Sequence, residues 1–135
     1  MKKDDVLKHL AELLHGILFH DLFLSEILNL IAEFGFEEKF FKLFYARLML
    51  LNTRGIMVTR AKEFENLGDG LFSMHLTGSG FNLRILFAFL PNGQPVLLLA
   101  FHERAGKRKT DYSTYLEPAL SRFAEKKEDF AHGYL

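Results

Sequence analysis

Residues 71–102 read LFSMHLTGSGFNLRILFAFLPNGQPVLLLAFH, and this stretch decides the fold. It holds three strand-like runs, 71–76, 81–90 and 95–102, rich in Phe, Leu, Ile and Val. Thr77-Gly78-Ser79-Gly80 joins the first two runs, and Pro91-Asn92-Gly93-Gln94 joins the last two. Asn-Gly between apolar runs is a strong hairpin signal, because the tightest hairpin turn needs positive φ at consecutive residues. The stretch therefore predicts a three-stranded antiparallel meander. Successive strand residues alternate faces. One face then carries Phe72, Met74, Leu76, Leu83, Ile85, Phe87 and Phe89, which suits packing on helices. The other gathers Ser73, His75, Asn82 and Arg84 at one end. The first turn is expected to pair Leu76 with Phe81, setting Ser73 opposite Arg84 and His75 opposite Asn82. The second is expected to pair Leu90 with Pro95, hence Arg84 with Phe101.

On the N-terminal side the periodicity is helical. Val6, Leu7, Leu10, Leu13, Leu14 and Ile17 recur at helical spacing after Asp4 and Asp5, and Gly16 follows as a stop. Ile17 to His20 reads as a short strand. A second helix is expected over 22–34, with Asp21 as its cap and Gly35 as its terminator. A third is expected over 36–51, with Glu37 and Glu38 in the first turn and a buried stripe of Phe40, Phe41, Phe44, Leu48 and Leu51. With Gly35 alone between them, these two form an antiparallel hairpin. Residues 52–70 are polar, contain Gly55, Gly68 and Gly70, and read as a connector.

On the C-terminal side, Thr114-Tyr115-Leu116-Glu117 is a capping box, and it puts Pro118 in the first turn of a last helix. A start near Asp111 would place Pro118 in the interior, at a cost of about 3 kcal/mol. Leu116, Ala119, Leu120 and Phe123 fit one face. The expected fold is therefore α+β. An antiparallel sheet of three to four strands packs on an N-terminal helical hairpin, with a C-terminal helix. It is one domain over 1–135, and 1–20 is an N-terminal helical extension.

Composition sets bounds on chemistry. The chain has 135 residues, 49% hydrophobic and 25% charged, enough apolar surface for one core. It has no Cys, which excludes a disulfide scaffold, a zinc-thiolate site and a cysteine nucleophile. His9, His15 and His20 are six and five residues apart, not the i, i+4 spacing of a zinc pair, so no metal or other cofactor is expected. The longest apolar run, Val96 to Phe101, is far short of the ~20 residues that span a bilayer. A cytoplasmic protein without a membrane partner is expected. Net charge is zero, with 17 basic and 17 acidic residues, but it is uneven. Residues 54–109 carry 8 basic and 4 acidic side chains, and both flanks are net acidic, which points to an anionic partner for the middle segment.

The pieces Leu67-Gly68-Asp69-Gly70-Leu71-Phe72 and Leu83-Arg84-Ile85-Leu86-Phe87 stand in a telling order with the Phe101-to-Lys109 segment before a helix. Together with the helical hairpin ahead of them, they resemble the RelE/HigB-like toxins of type II toxin–antitoxin systems, in particular the phage-derived branch of the RelE/ParE superfamily. The resemblance covers about residues 22–125. It implies a toxin that cuts messenger RNA on the ribosome without a metal and is restrained by a cognate antitoxin, typically a helix-turn-helix protein. Where family members show Glu-Leu-Arg on the first meander strand, this chain has Ser73-Met74-His75. Two other readings share the fold: a ParE-like inhibitor of DNA gyrase, and a non-catalytic phage-derived adaptor.

Attack by RNA's own 2′-hydroxyl needs a base, an acid for the leaving 5′-oxygen and cations around the pentavalent phosphate. Arg84 is the candidate phosphate grip, because its planar fork holds two oxygens. His75 titrates near neutrality and is a candidate acid or base. Tyr112 is the third candidate catalytic residue: a phenol beside cations has a lowered pKa and can transfer a proton. Arg104, Lys107, Arg108 and Lys109 form a basic loop expected to bind RNA phosphates. His102 is expected to face away from Arg84.

Overall fold

A computed structural model describes residues 3–35, 37–103 and 108–135. Helix α1 (Lys3–Leu13) opens with Asp4 and Asp5 in its first turn, where the helix dipole favours acids. It buries Val6 and Leu10, with Leu14 one turn on, against the helices that follow. Strand β1 (Leu18–Phe19) leads into α2 (Asp21–Phe34). The cap of α2 is His20 rather than the expected Asp21: its Nδ1 accepts the Leu22 N–H at 3.2 Å, and Asp21 sits in the first turn. Gly35 ends α2 at φ 68°, a left-handed conformation that a Cβ disfavours. Helix α3 (Glu37–Arg54) runs past the expected end at Leu51 into a 3₁₀ segment, Gly55–Arg60. Strands β2 (Phe64–Gly68), β3 (Leu71–Gly78), β4 (Phe81–Phe89) and β5 (Pro95–His102) follow, then α4 (Arg108–Ala131).

The strands form one five-stranded sheet in the order β1-β5-β4-β3-β2. The expected meander is its centre, but the sheet is mixed rather than antiparallel, and the helices are not the simple hairpin expected, since α1 packs into the same core as α2 and α3. Strand β1 pairs with β5 in parallel, Leu18 with Val96 and Phe19 with Leu97. A parallel neighbour needs a long crossover, and α2 and α3 supply the helical part of it. The short strand expected over Ile17 to His20 is thus present as Leu18 and Phe19, and it belongs to the sheet rather than to a helical extension. Strand β2 arises inside the polar connector. As an edge strand it buries only Phe64 fully, so its apolar alternation is faint.

Two registers differ from expectation. The β3–β4 turn is the two residues Ser79-Gly80, with Gly80 at φ 88°, and Gly78 pairs with Phe81. The Phe81 ring covers Gly78 so closely that an added Cβ would lie 2.6 Å from it. The pairing therefore slides by two, and His75 comes opposite Arg84. A slide of two keeps every side chain on its expected face. In β4–β5 the Arg84–Phe101 pairing holds, but Phe89 rather than Leu90 pairs with Pro95. A bulge between Leu86 and Phe87 absorbs the difference, and Leu98 and Leu99 both fall in the same core cluster.

The sheet is sandwiched. On one face Met74, Leu76, Ile85 and Phe87 pack with Phe23, Ile27, Phe40, Phe44 and Leu48 of α2 and α3. Edge-on contacts from Phe64 (6.0 Å) and Phe89 (5.7 Å) surround the Phe87 ring. On the other face Leu86, Ala88, Val96, Leu98 and Leu99 pack with Ala119 and Phe123 of α4. Helix α4 starts at Arg108, two turns ahead of the expected capping box, and Pro118 is interior to it. The added turns carry Tyr112 and Tyr115 onto Phe101, Tyr115 stacked at 4.0 Å and Tyr112 edge-on at 5.7 Å. Burying two aromatic rings offsets the roughly 3 kcal/mol of an interior proline, which here lies on the exposed side of the helix.

Candidate functional site

The polar cluster forms at the end of the sheet that α4 leaves partly uncovered. Alternation puts Ser73 and His75 of β3 and Asn82 and Arg84 of β4 on the α4 side, and the register sets His75 directly opposite Arg84. Strand β2 brings Glu65 opposite Ser73. Glu103, just beyond β5, is fixed by its backbone N–H donating to Asn82 O at 2.8 Å. Tyr112 enters from the start of α4.

These side chains form two linked chains of contacts. The Tyr112 hydroxyl lies 3.0 Å from Ser73 Oγ and 3.3 Å from His75 Nε2. His75 Nε2 is also 3.5 Å from Glu65 Oε2. Arg84 Nη1 donates to Asn82 Oδ1 at 2.5 Å, an oxygen that also accepts from Thr77 Oγ1 at 2.9 Å. Arg84 Nη2 is 2.6 Å from Glu103 Oε2. From α3, Arg47 Nε donates to the His75 carbonyl at 2.9 Å and pins the strand beneath the site.

Burial and charge set the protonation states. Burial pushes the His75 pKa below its ordinary 6.5, and the Arg84 and Arg47 guanidinium groups push the same way, while Glu65 pulls it up. The imidazole is thus neutral at neutral pH. Burial chiefly raises the Tyr112 pKa above 10.0, helped by the Glu65 and Glu103 carboxylates. The Ser73 hydrogen bond and Arg84 pull it down and do not win. The expected lowered phenol pKa is therefore reversed: Tyr112 holds its proton and can donate it. Neutral His75 can accept one.

Of the residues singled out by sequence, Arg84, His75 and Tyr112 come together. Arg104 and Lys107 lie outside the described residues, as do the side chains of Arg108 and Lys109, which open α4. His102 pairs with Leu83 and so lies on the opposite face from Arg84. It lines a cavity of about 480 Å³ at the β5 edge, with Glu26, Asn29, Glu33 and Tyr115, away from the cluster. Two acids escaped the sequence reading. Glu65 sat in a segment with no strand assigned. Glu103 was within reach, because two residues after Phe101 is the Arg84 face. Glu65 against His75 and Glu103 against Arg84 add two carboxylates to the expected polar cluster.

Among the described residues no group of three His, Asp or Glu side chains is placed to hold a metal ion. No described helix is long and apolar enough to cross a membrane. Compared with models of known protein families the chain matches none, and no curated protein matches it.

Proposed function

We infer that this chain is a toxin of a type II toxin–antitoxin system that cuts messenger RNA on the ribosome without a metal. One observation carries the reading: a half-buried phenol from α4 lies within hydrogen-bonding reach of a neutral imidazole on β3, and the strand register sets that imidazole's residue directly opposite an arginine on β4. The order along the chain of two consecutive helices, a meander and a terminal helix supports it, as does the basic composition of 104–109, which follows Glu103 directly in sequence.

The chemistry follows from the protonation states. Neutral His75 takes the 2′-hydroxyl proton as that oxygen attacks phosphorus. Arg84 stabilises the charge on the pentavalent phosphate. Tyr112 gives its proton to the leaving 5′-oxygen. The products are a 2′,3′-cyclic phosphate and a 5′-hydroxyl. Glu65 steadies the imidazolium in between, and the 3.3 Å contact lets His75 return the proton to the Tyr112 phenolate. A cytoplasmic site of action and restraint by a cognate antitoxin, expected to be of the helix-turn-helix kind, belong to the same proposal.

The Arg84–Glu103 pair favours a second reading, a non-catalytic adaptor that keeps the fold, because it leaves the guanidinium neutralised. A gyrase inhibitor would need no such cluster. Inducing the protein in cells and mapping messenger RNA ends separates the three. Discrete new ends within coding regions are expected. Intact messages overturn the nuclease reading, with DNA damage marking gyrase inhibition and unaffected growth marking the adaptor.

A further inference from the structure

The Arg84–Glu103 pair is close but poorly directed. The two charged atoms are 2.6 Å apart, yet Glu103 Oε2 makes no hydrogen bond among the described residues, so no guanidinium N–H points at it. Arg84 Nε is likewise buried without a hydrogen-bond partner among the described residues. The side chains are only 12% and 8% exposed, so these unmatched atoms carry a desolvation cost. The edge of an arginine that bears Nε and one terminal nitrogen grips two oxygens of an anion at once. Here that edge has a carboxylate beside it but not across it. The backbone of Glu103 is tied through its N–H to Asn82 O, and its carboxylate stands two methylene groups away from that anchor. Directly after Glu103 the sequence carries Arg104, Lys107, Arg108 and Lys109.

We propose that Glu103 is a built-in stopper on a phosphodiester site. In the free protein its carboxylate occupies the approach to Arg84, and a backbone phosphate of single-stranded nucleic acid displaces it to take the Nε edge. The use of Arg84 on phosphate rests on the nuclease reading above, but binding can be measured without cleavage.

The probe is a fluorescent single-stranded DNA oligonucleotide, which lacks the 2′-hydroxyl and stays intact. Its affinity is measured by anisotropy for the wild type, Glu103→Gln, Arg84→Ala and the double variant. Glu103→Gln is expected to tighten binding about tenfold, by removing a charge that repels the phosphate at short range. The gain is expected to vanish in the Arg84→Ala background. A folded Glu103→Gln protein that binds no tighter overturns the proposal, as does a gain that survives loss of Arg84. If Glu103→Gln does not fold, wild-type protein labelled with ¹⁵N-arginine decides. The Arg84 Nε–H resonance is expected to shift as the oligonucleotide saturates, and an unmoved resonance overturns the stopper. Cutting of ribosome-bound message by the same set of variants keeps the two readings apart. Cutting without the Glu103 effect leaves the nuclease and removes the stopper; the Glu103 effect without cutting does the reverse.

Discussion

Helix α4 is flanked by two arginine–glutamate pairs that share a chemistry and differ in every detail of fit. In the first, Arg122 Nη1 and Nη2 each meet a Glu26 oxygen at 2.7 Å, fork to fork. Arg122 also donates to Leu98 O at 2.9 Å, and Glu26 accepts the Ala100 N–H at 3.2 Å. The pair thus takes over the bonds of the β5 edge beyond Leu97, where β1 has ended. In the second, Arg84 and Glu103 are at least as buried and touch at a single point, with Nε and Oε2 unmatched among the described residues. A pair whose terminal nitrogens and carboxylate oxygens are all bonded holds a fold together. A pair with donors to spare stands where a ligand can complete it, and the molecule's other chemistry-bearing side chains gather around that one.

The largest expected effect of breaking the comparison is on activity. Arg84→Ala should lower cleavage about 10²–10³-fold, the usual cost of one transition-state contact, while the protein stays folded by circular dichroism. Arg84→Lys should restore only part, since an ammonium has no planar fork. Tyr112→Phe keeps the ring on Phe101 and removes the acid, and should cost about 10²-fold or more. In the wild type, cleavage should fall only above the ordinary phenol value of 10.0, because the Tyr112 pKa is raised, and that alkaline fall should be missing from Tyr112→Phe.

The mirror-image experiment is Arg122→Ala. It strands the Glu26 carboxylate and the Leu98 carbonyl, and should cost about 3 kcal/mol in urea unfolding. Cleavage per folded molecule should be unchanged. A large activity loss in Arg122→Ala at full stability would erase the distinction between the two pairs.

How far these contrasts were legible in the sequence varies from element to element. The meander and its faces were, because alternation survives a slide of two residues. The slide itself was not: the Thr77–Gly80 stretch allows a two- or a four-residue turn, and the choice rests on the Phe81 ring covering Gly78. The bulge at Leu98 left no mark in a run of five consecutive apolar residues from Val96 to Ala100. Strand β1 was legible as a short strand over Ile17 to His20, but its parallel pairing was not, because β5 lies far along the chain. The capping box at Thr114 was a valid local signal, overridden by the packing of Tyr112 and Tyr115 on Phe101. Within the site, Arg84, His75 and Tyr112 were readable from face and residue type. The protonation state of Tyr112 was not, because it follows from its burial between α4 and the sheet.

The smallest expected effect is a stability slope with pH. Unfolded His75 takes up its proton near 6.5, and the folded protein holds it neutral to lower pH. The unfolded state therefore binds more protons in that window, and stability should fall as pH drops from 6.5 through the lower folded value, then level off. His75→Asn should remove this part of the slope in urea titrations across the range. An unchanged slope would place His75 outside the buried, Arg84-facing environment described above.

The most direct test of the central claim is the chemical identity of the RNA ends that the purified protein leaves on ribosome-bound message. Attack by the 2′-hydroxyl under His75, Arg84 and Tyr112 yields 2′,3′-cyclic phosphate and 5′-hydroxyl ends. Ends bearing 5′-phosphate and 3′-hydroxyl would contradict it.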